Sequence, residues 1–356
     1  MYIDPHVHCR DEEQKEKETI THALEVAERA GVDAVFDIVN TINPVTTEQR
    51  VEERLEIADK TNSPVFYGLY VLLTPDLKQV EEAVKIHNNL FPRVVGLKLF
   101  AGKSVGNLEV IKEKDQKNVY RVLSNNNYEG VLTVHCEKES MLKPELFYAK
   151  NPISHSWARP EIAELESIKD QIGFAWDTRF RGKLNIAHVS SPESVEYLDK
   201  VRRNLGLGGN EIGSIKVFCE VAPHHLFLYD ELMNIPEGLL LKMNPPLRSR
   251  NSQQGLLKCL KEGKIDMIAT DHAPHTRKEK LEDPYISGIP GLDRWPNVVD
   301  KLRKECFSEG QISNLTFNNA LKIFGLRDYI TKTGNHGQLN LDEYRGLRPQ
   351  NVLSII

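Results

Sequence analysis

Short apolar runs rich in β-branched residues alternate along this chain with amphipathic stretches of helical period. The runs fall at residues 3–9, 34–39, 65–72, 94–100, 131–136, 184–189, 215–221 and 267–271. Between them the spacing predicts helices such as 19–30, 48–60, 77–89, 160–175, 192–205 and 253–262, with loops punctuated by Asn, Pro and Gly. Eight strands linked by crossover helices predict a (β/α)8 barrel or a long doubly wound parallel sheet. After residue 271 a polar loop runs to about 291, then helical stretches around 296–307 and 316–324, then a tail to which the pattern assigns no structure. No interdomain linker, low-complexity tract or solenoid repeat interrupts the alternation, which predicts one domain over 1–356.

The 356 residues are 40% hydrophobic and 27% charged, which is enough apolar material for a large buried core. Lys plus Arg number 46 against 51 Asp plus Glu, a formal charge of -5, so no global basic field exists to hold nucleic acid or an anionic membrane. The longest apolar runs fall well short of the roughly 20 residues that span a bilayer. The first ten residues lack the basic and apolar regions of a signal peptide, so a cytoplasmic protein is expected. Five cysteines, an odd number with no CxxC pair, fit reduced thiols rather than a disulfide framework. The mixed-charge run at 11–18 reads as a solvated loop and helix start.

In a barrel the chemistry gathers at the C-terminal ends of the strands, and there the unusual polar residues fall. The first run closes in His6-Val7-His8, whose period of two puts both imidazoles on one face, able to grip one metal. The fifth closes in His135-Cys136-Glu137, the sixth in His188-Val189-Ser190 and the eighth in Thr270-Asp271-His272. The fourth carries Lys98 inside an apolar strand, where an ammonium is costly unless neutralised or paired. Each feature alone has an ordinary structural explanation: a core or rim histidine, a turn aspartate, a snorkelling lysine. Five of them at five different strand ends point to a metal centre. One route to neutral Lys98 is carbamate formation with CO2, which converts the amine into a carboxylate able to bridge two divalent cations. Two such ions, roughly 3.5–4 Å apart, act as Lewis acids on a carbonyl, and the His and carboxylate mixture favours zinc.

At these residues the chain resembles the amidohydrolase superfamily and, within it, the dihydroorotases, from about residue 3 to 324. The motifs that carry the resemblance are Asp4-Pro5-His6-Val7-His8-Cys9-Arg10, Val39-Asn40-Thr41, Gly96-Leu97-Lys98-Leu99-Phe100, Val134-His135-Cys136-Glu137, Cys219-Glu220-Val221-Ala222-Pro223-His224-His225, Asn244-Pro245-Pro246-Leu247-Arg248, Asp271-His272-Ala273-Pro274-His275 and Ile289-Pro290-Gly291-Leu292. The resemblance implies a TIM barrel that reversibly cyclises N-carbamoyl-L-aspartate to L-dihydroorotate in pyrimidine biosynthesis. It also implies two Zn2+ per subunit: His6, His8 and Asp271 on one, His135 and His188 on the other, and an N6-carboxylated Lys98 bridging both. Asp271 would be the general acid/base. Arg10, Asn40, Asn244 and His275, with His8 and backbone groups at Pro290 and Gly291, would bind substrate. Partners implied are this small molecule and either a second copy of the chain or an aspartate transcarbamoylase.

The chain departs from the family in places. Many relatives carry about fifty residues of β-structure before their HxH, so the accessory β-sandwich is expected to be absent or vestigial. Asp37-Ile38-Val39 stands where a Met-Pro pair often precedes Asn-Thr, and 101–109 lacks the paired threonines of some mobile lids. Cys9 and Cys136 should face away from the metals by strand alternation. His224 and His225 read as structural, and Glu220 is left without an assigned role. Two other functions compete: a cyclic amidase for neutral rings, which has no use for Arg10, and an inactive scaffold subunit, which would have lost metal ligands.

Overall fold

Each apolar run becomes a parallel strand, and each amphipathic stretch packs outside it. The computed structural model describes residues 2–104, 108–207 and 215–330; the rest of the tail and part of the 101–109 segment lie outside the described residues. The strands are β1 Tyr2–Val7, β2 Val32–Asp37, β3 Phe66–Leu72, β4 Val94–Phe100, β5 Val131–His135, β6 Lys183–Ile186, β7 Lys216–Val221 and β8 Met267–Ile268. They pair in sequence order, every pair parallel. Val7 bridges His272 and the His8 N–H donates to the His272 carbonyl at 2.7 Å, which joins the last strand to the first. The doubly wound alternative is thereby excluded. No helix among the described residues is long and apolar enough to cross a membrane.

Side-chain chemistry reinforces this closure. The buried Asp4 carboxylate accepts from the Thr270 N–H (3.0 Å), the Thr270 hydroxyl (2.5 Å) and the Trp295 indole (3.0 Å), tying β1, β8 and the helix Trp295–Lys304 together. The β1 register slips between Asp4 and Val7. Ile3 belongs to the inner cluster and Asp4 reaches outward to Trp295; past the slip the phase is reversed, so that Val7 and Cys9 pack outward and His6 and His8 face in. Without that slip the alternation of the first strand would carry the two imidazoles to the wrong face.

The outer layer packs the helices on the strands through residues of helical spacing. In Ile20–Arg29 these are Ile20, Ala23, Leu24, Val26 and Ala27, and Thr19 caps the helix by accepting from the His22 N–H. The sequence pattern misses the helix Glu113–Asn125, whose short apolar set, Val119, Tyr120, Val122 and Leu123, follows a polar first turn. The C-terminal stretch 316–324 is a helical turn, Asn314–Asn318, followed by Asn319–Phe324. It inserts Phe317 and Phe324 among Ile3, Phe36 and Tyr70 and so fills the barrel from below. Polar groups are left for the upper half. All five cysteines are free; Cys9 and Cys136 pack in the outer layer, as strand alternation predicts.

Candidate active site

The four strand-end histidines converge at the top of the barrel. Ring centroids of His6 and His8 lie 5.2 Å apart, His6 and His188 5.2 Å, and His135 and His188 4.9 Å. His6 and His8 direct Nε2 at the Asp271 carboxylate, at 3.4 and 3.2 Å, and the ligand atoms of these three buried residues lie within 4.8 Å of one another. Their other ring nitrogens are engaged. His6 Nδ1 contacts Glu220 and His8 Nδ1 lies 2.8 Å from the Ile38 carbonyl. A proton on Nδ1 of each ring leaves the Nε2 lone pair for a cation, the arrangement metal-binding histidines use.

A second pair stands beside the first. His135 Nδ1 is 3.0 Å from His188 Nε2, close to the roughly 3.3 Å that separates two nitrogens on one tetrahedral zinc at about 2.05 Å. The far nitrogen of His135 lies 3.1 Å from Glu137, which the Arg159 guanidinium grips through Nε at 3.0 and 3.1 Å and through Nη2. Burial and neighbouring positive charge depress the pKa of His6 and His188 well below the usual value, and burial also lowers His135. All three are therefore neutral near pH 7, as ligands must be.

Lys98 rises from β4 between Leu97 and Leu99, which pack outward. It is fully buried, and its Nζ has no hydrogen-bond partner among the described residues. Burial pushes its pKa down against the pull of Glu220 and Asp271. An amine desolvated in this way is nucleophilic toward CO2, and an orphaned buried nitrogen costs stability unless something completes it. Burial alone would raise the Asp271 pKa, but the adjoining His6 and His8 imidazoles and the Lys98 charge bring the carboxyl down to about 2. Asp271 and His188 both adopt positive φ, 50° and 35°, a rare conformation for non-glycine residues that recurs at functional sites. It also explains why β8 is only two residues long, since the chain leaves the strand to turn Asp271 inward.

Arg10 lies against this cluster, 1% exposed. Its Nε donates to the Pro274 carbonyl (3.2 Å), Nη1 to Asn40 Oδ1 (3.1 Å) and Nη2 to His275 Nε2 (3.2 Å). Three of the five guanidinium N–H groups are thus engaged, leaving one on each Nη. Arg54 holds the backbone beneath, donating to the Arg10 carbonyl (2.7 Å) and to Asp37 (3.0 Å).

One pocket collects His6, His8, Arg10, Asn40, His135, His188, Asn244 and Asp271, together with Phe100, Ser104, Met243, Ala273, Ser287 and Gly288. Of the residues expected to bind substrate, His275 stands behind Arg10. Pro290 and Gly291 follow the stretch that forms the wall, and the Gly291 N–H donates to His272 Nδ1 at 3.1 Å. The wall there is Ser287 and Gly288. A Cβ on Gly288 would meet the Ala273 carbonyl at 2.7 Å, at a φ of 145° that side chains avoid. His224 and His225 lie on the short helix Pro223–Phe227, with His225 Nε2 3.0 Å from the Pro245 carbonyl, which fits their structural reading. Glu220, left unassigned from sequence, faces inward and contacts His6; Asn185 donates to it at 2.9 Å.

No family model matches the chain. It is 31% identical over 334 residues to a dihydroorotase of Methanosarcina mazei, covering 91% of this chain and 69% of that protein. A dihydroorotase of Thermococcus kodakarensis is 30% identical over 340 residues, 95% of this chain and 71% of the relative. One of Thermoplasma acidophilum is 32% identical over 328 residues, 91% and 69%. Among solved structures, the L-hydantoinase (dihydropyrimidinase) of Arthrobacter aurescens superposes with a TM-score of 0.79 at 22% identity, covering 94% of this chain and 73% of that one. The dihydroorotase of Saccharomyces cerevisiae in complex with 5-fluoroorotic acid gives 0.73 at 18%, covering 94% and 86%. At such identities the structural likeness establishes the barrel fold.

Proposed function

Because this chain belongs to the dihydroorotase family and is a hydrolase of cyclic amides, we propose that it interconverts dihydroorotate and carbamoyl aspartate at a dinuclear zinc centre. The observation that carries the reading is the meeting, in one pocket, of an Arg10 fork with two open N–H groups and a cluster of neutral imidazoles and an ionised carboxylate. The first fits a carboxylate end-on; the second fits a metal-assisted hydrolysis. A cyclic amidase for neutral rings has no need of a buried cation directed at its substrate.

The donor set fits the metals. His6, His8 and Asp271 would hold one ion and His135 and His188 the other, with Lys98 carboxylated between them. The buried Lys98 nitrogen, without a hydrogen-bond partner among the described residues, and the 3.0 Å approach of two imidazole nitrogens support that assignment. Bound there, the ions would polarise the ring amide carbonyl and acidify the attacking water.

The remaining work falls to this chain's own groups. Arg10 takes the substrate carboxylate through its two open N–H groups, and Asn40 and His275 hold the guanidinium in place. Asp271, ionised and 3.2 Å from His8 Nε2, accepts a proton from the attacking water. As the C–O bond forms and the ring C–N bond breaks, Asp271 delivers that proton to the leaving nitrogen. Ring closure is the same sequence reversed.

The direct test is metal titration after chelation. Turnover of dihydroorotate should return with zinc and saturate near two equivalents. Saturation at one equivalent would remove the second centre, and failure to return with any divalent metal would contradict the reading.

A further inference from the structure

Behind the pocket wall, a chain of hydrogen bonds ends on the Asn244 carboxamide. His155, on the short helix Ser154–Ala158, places Nε2 2.9 Å from the Met243 carbonyl and 3.0 Å from Asn244 Oδ1. A carbonyl only accepts, so Nε2 must carry the proton. The Asn244 atom facing that N–H is then an acceptor, and the amide orientation follows from chemistry. Ser287 supplies a second donor, its hydroxyl 3.0 Å from the same Oδ1. Lys242 fixes the sense of that bond. Its ammonium donates to Ser287 Oγ (2.9 Å) and to the Tyr285 carbonyl (2.7 Å), so the serine accepts from the lysine and sends its one proton to Asn244.

His155, Lys242 and Ser287 are all buried. Phe147 packs its ring on both His155, centroids 5.7 Å apart, and Lys242, 5.1 Å from the ammonium. Burial and the nearby Lys242 and Arg159 charges keep His155 neutral, with one proton to place. Asn244 is half-buried and lines the pocket. Among the described residues no group takes its Nδ2.

We propose that His155 and Ser287, the latter set by Lys242, are positioning residues that lock the Asn244 carboxamide with Oδ1 turned inward and Nδ2 presented to the pocket. The subsite therefore offers two N–H donors and no acceptor, and it selects a substrate group that only accepts, a carboxylate or carbonyl oxygen, over one bearing N–H or O–H. This deepens the functional reading above and rests on it.

The test is a double-mutant cycle on the zinc-loaded enzyme with dihydroorotate. Asn244→Ala should raise KM about tenfold or more, the loss of a hydrogen bond to a charged group. His155→Leu frees the amide to rotate and should raise KM roughly three- to tenfold, with kcat within about twofold and zinc content unchanged. His155→Gln, which can still donate, should recover part of the loss. In the Asn244→Ala background, His155→Leu should add nothing. If His155→Leu fails to fold, Ser287→Ala takes its place in the same cycle.

Additive effects of His155→Leu and Asn244→Ala would overturn the positioning role while leaving the enzyme's function intact. An unchanged KM in Asn244→Ala would instead overturn the subsite. A wild-type protein inert toward dihydroorotate would overturn the functional reading on which both depend.

Discussion

Replacing Arg10 by methionine keeps an unbranched apolar stem and removes the charge and five donors. In the folded protein three of those donors hold Pro274, Asn40 and His275, which leaves two on a residue that lines the pocket. Charge-assisted hydrogen bonds are worth about 1.5–3 kcal/mol each, so loss of a bidentate pair should cost about 3–6 kcal/mol of substrate binding. That is roughly 10²- to 10⁴-fold in kcat/KM for dihydroorotate. Arg10→Lys retains a cation with one well-directed bond and should lose roughly 10- to 100-fold. The substituted position touches neither His6 nor Asp271 through any hydrogen bond, so zinc content should hold at the wild-type value. Activity on a neutral ring such as dihydrouracil, which has no carboxylate, should not fall. The assay is kcat and KM on both substrates for the three proteins, with zinc measured on the same samples. A kcat/KM for dihydroorotate within about threefold of wild type in Arg10→Met would refute the carboxylate-binding role.

Other consequences follow from the same geometry. Asp271→Asn keeps the shape of the side chain but removes the proton acceptor; turnover should fall by at least about 10³-fold with the circular dichroism spectrum unchanged, and residual activity above a tenth of wild type would contradict the assignment. Glu220→Gln weakens the partner that orients His6, so zinc affinity measured by competition with a chelator should drop about 10- to 100-fold, whereas an unchanged affinity would make Glu220 a packing residue. Arg159 and His135 hold the Glu137 pKa well below the ordinary carboxylate value against the opposing effect of burial. A depressed carboxylate adds stability that is fully present above its unfolded pKa of about 4.5 and is lost as pH falls below it. Arg159→Met should therefore destabilise by about 3–5 kcal/mol at pH 7 and by clearly less near pH 4, where the stranded Glu137 can protonate; a loss that does not shrink with acid would show that the pair is not the cause.

Much of the barrel is legible in the sequence because burial on both faces writes continuous apolar runs. The fourth strand, 94–100, is met residue for residue. The eighth is expected at 267–271 and ends at Ile268, since Asp271 must leave extended geometry to face the centre. The first strand shows a subtler limit. Its HxH spacing identifies the shared face, but the register slip that turns this face inward depends on pairing with Val32–Asp37. The helix 113–125 opens on a polar first turn and gathers its apolar residues, Val119, Tyr120, Val122 and Leu123, in its second half, so only a short stretch of it shows the helical pattern.

The ligands themselves stand out because a charged or imidazole side chain closing an apolar strand is locally anomalous. Their supports do not. Glu220 meets His6 across 214 residues, Asn244 meets His155 across 89, and Arg159 reaches Glu137 across 22. Even where the residue itself is marked, as Asn244 is, its partner is not, and only the closed barrel brings the pairs together. The same holds for Ser287 and Gly288, which line the pocket just ahead of Pro290 and Gly291.

The central claim is that one pocket joins a dinuclear metal site to a carboxylate-binding arginine. It is tested most directly by turnover of the zinc-supplemented protein on dihydroorotate, carbamoyl aspartate, hydantoin and dihydrouracil side by side, with zinc content taken from the same sample. Turnover confined to the two acids, with about two zinc ions bound, is the predicted result; a preference for the neutral rings, or no turnover with zinc in place, would contradict it.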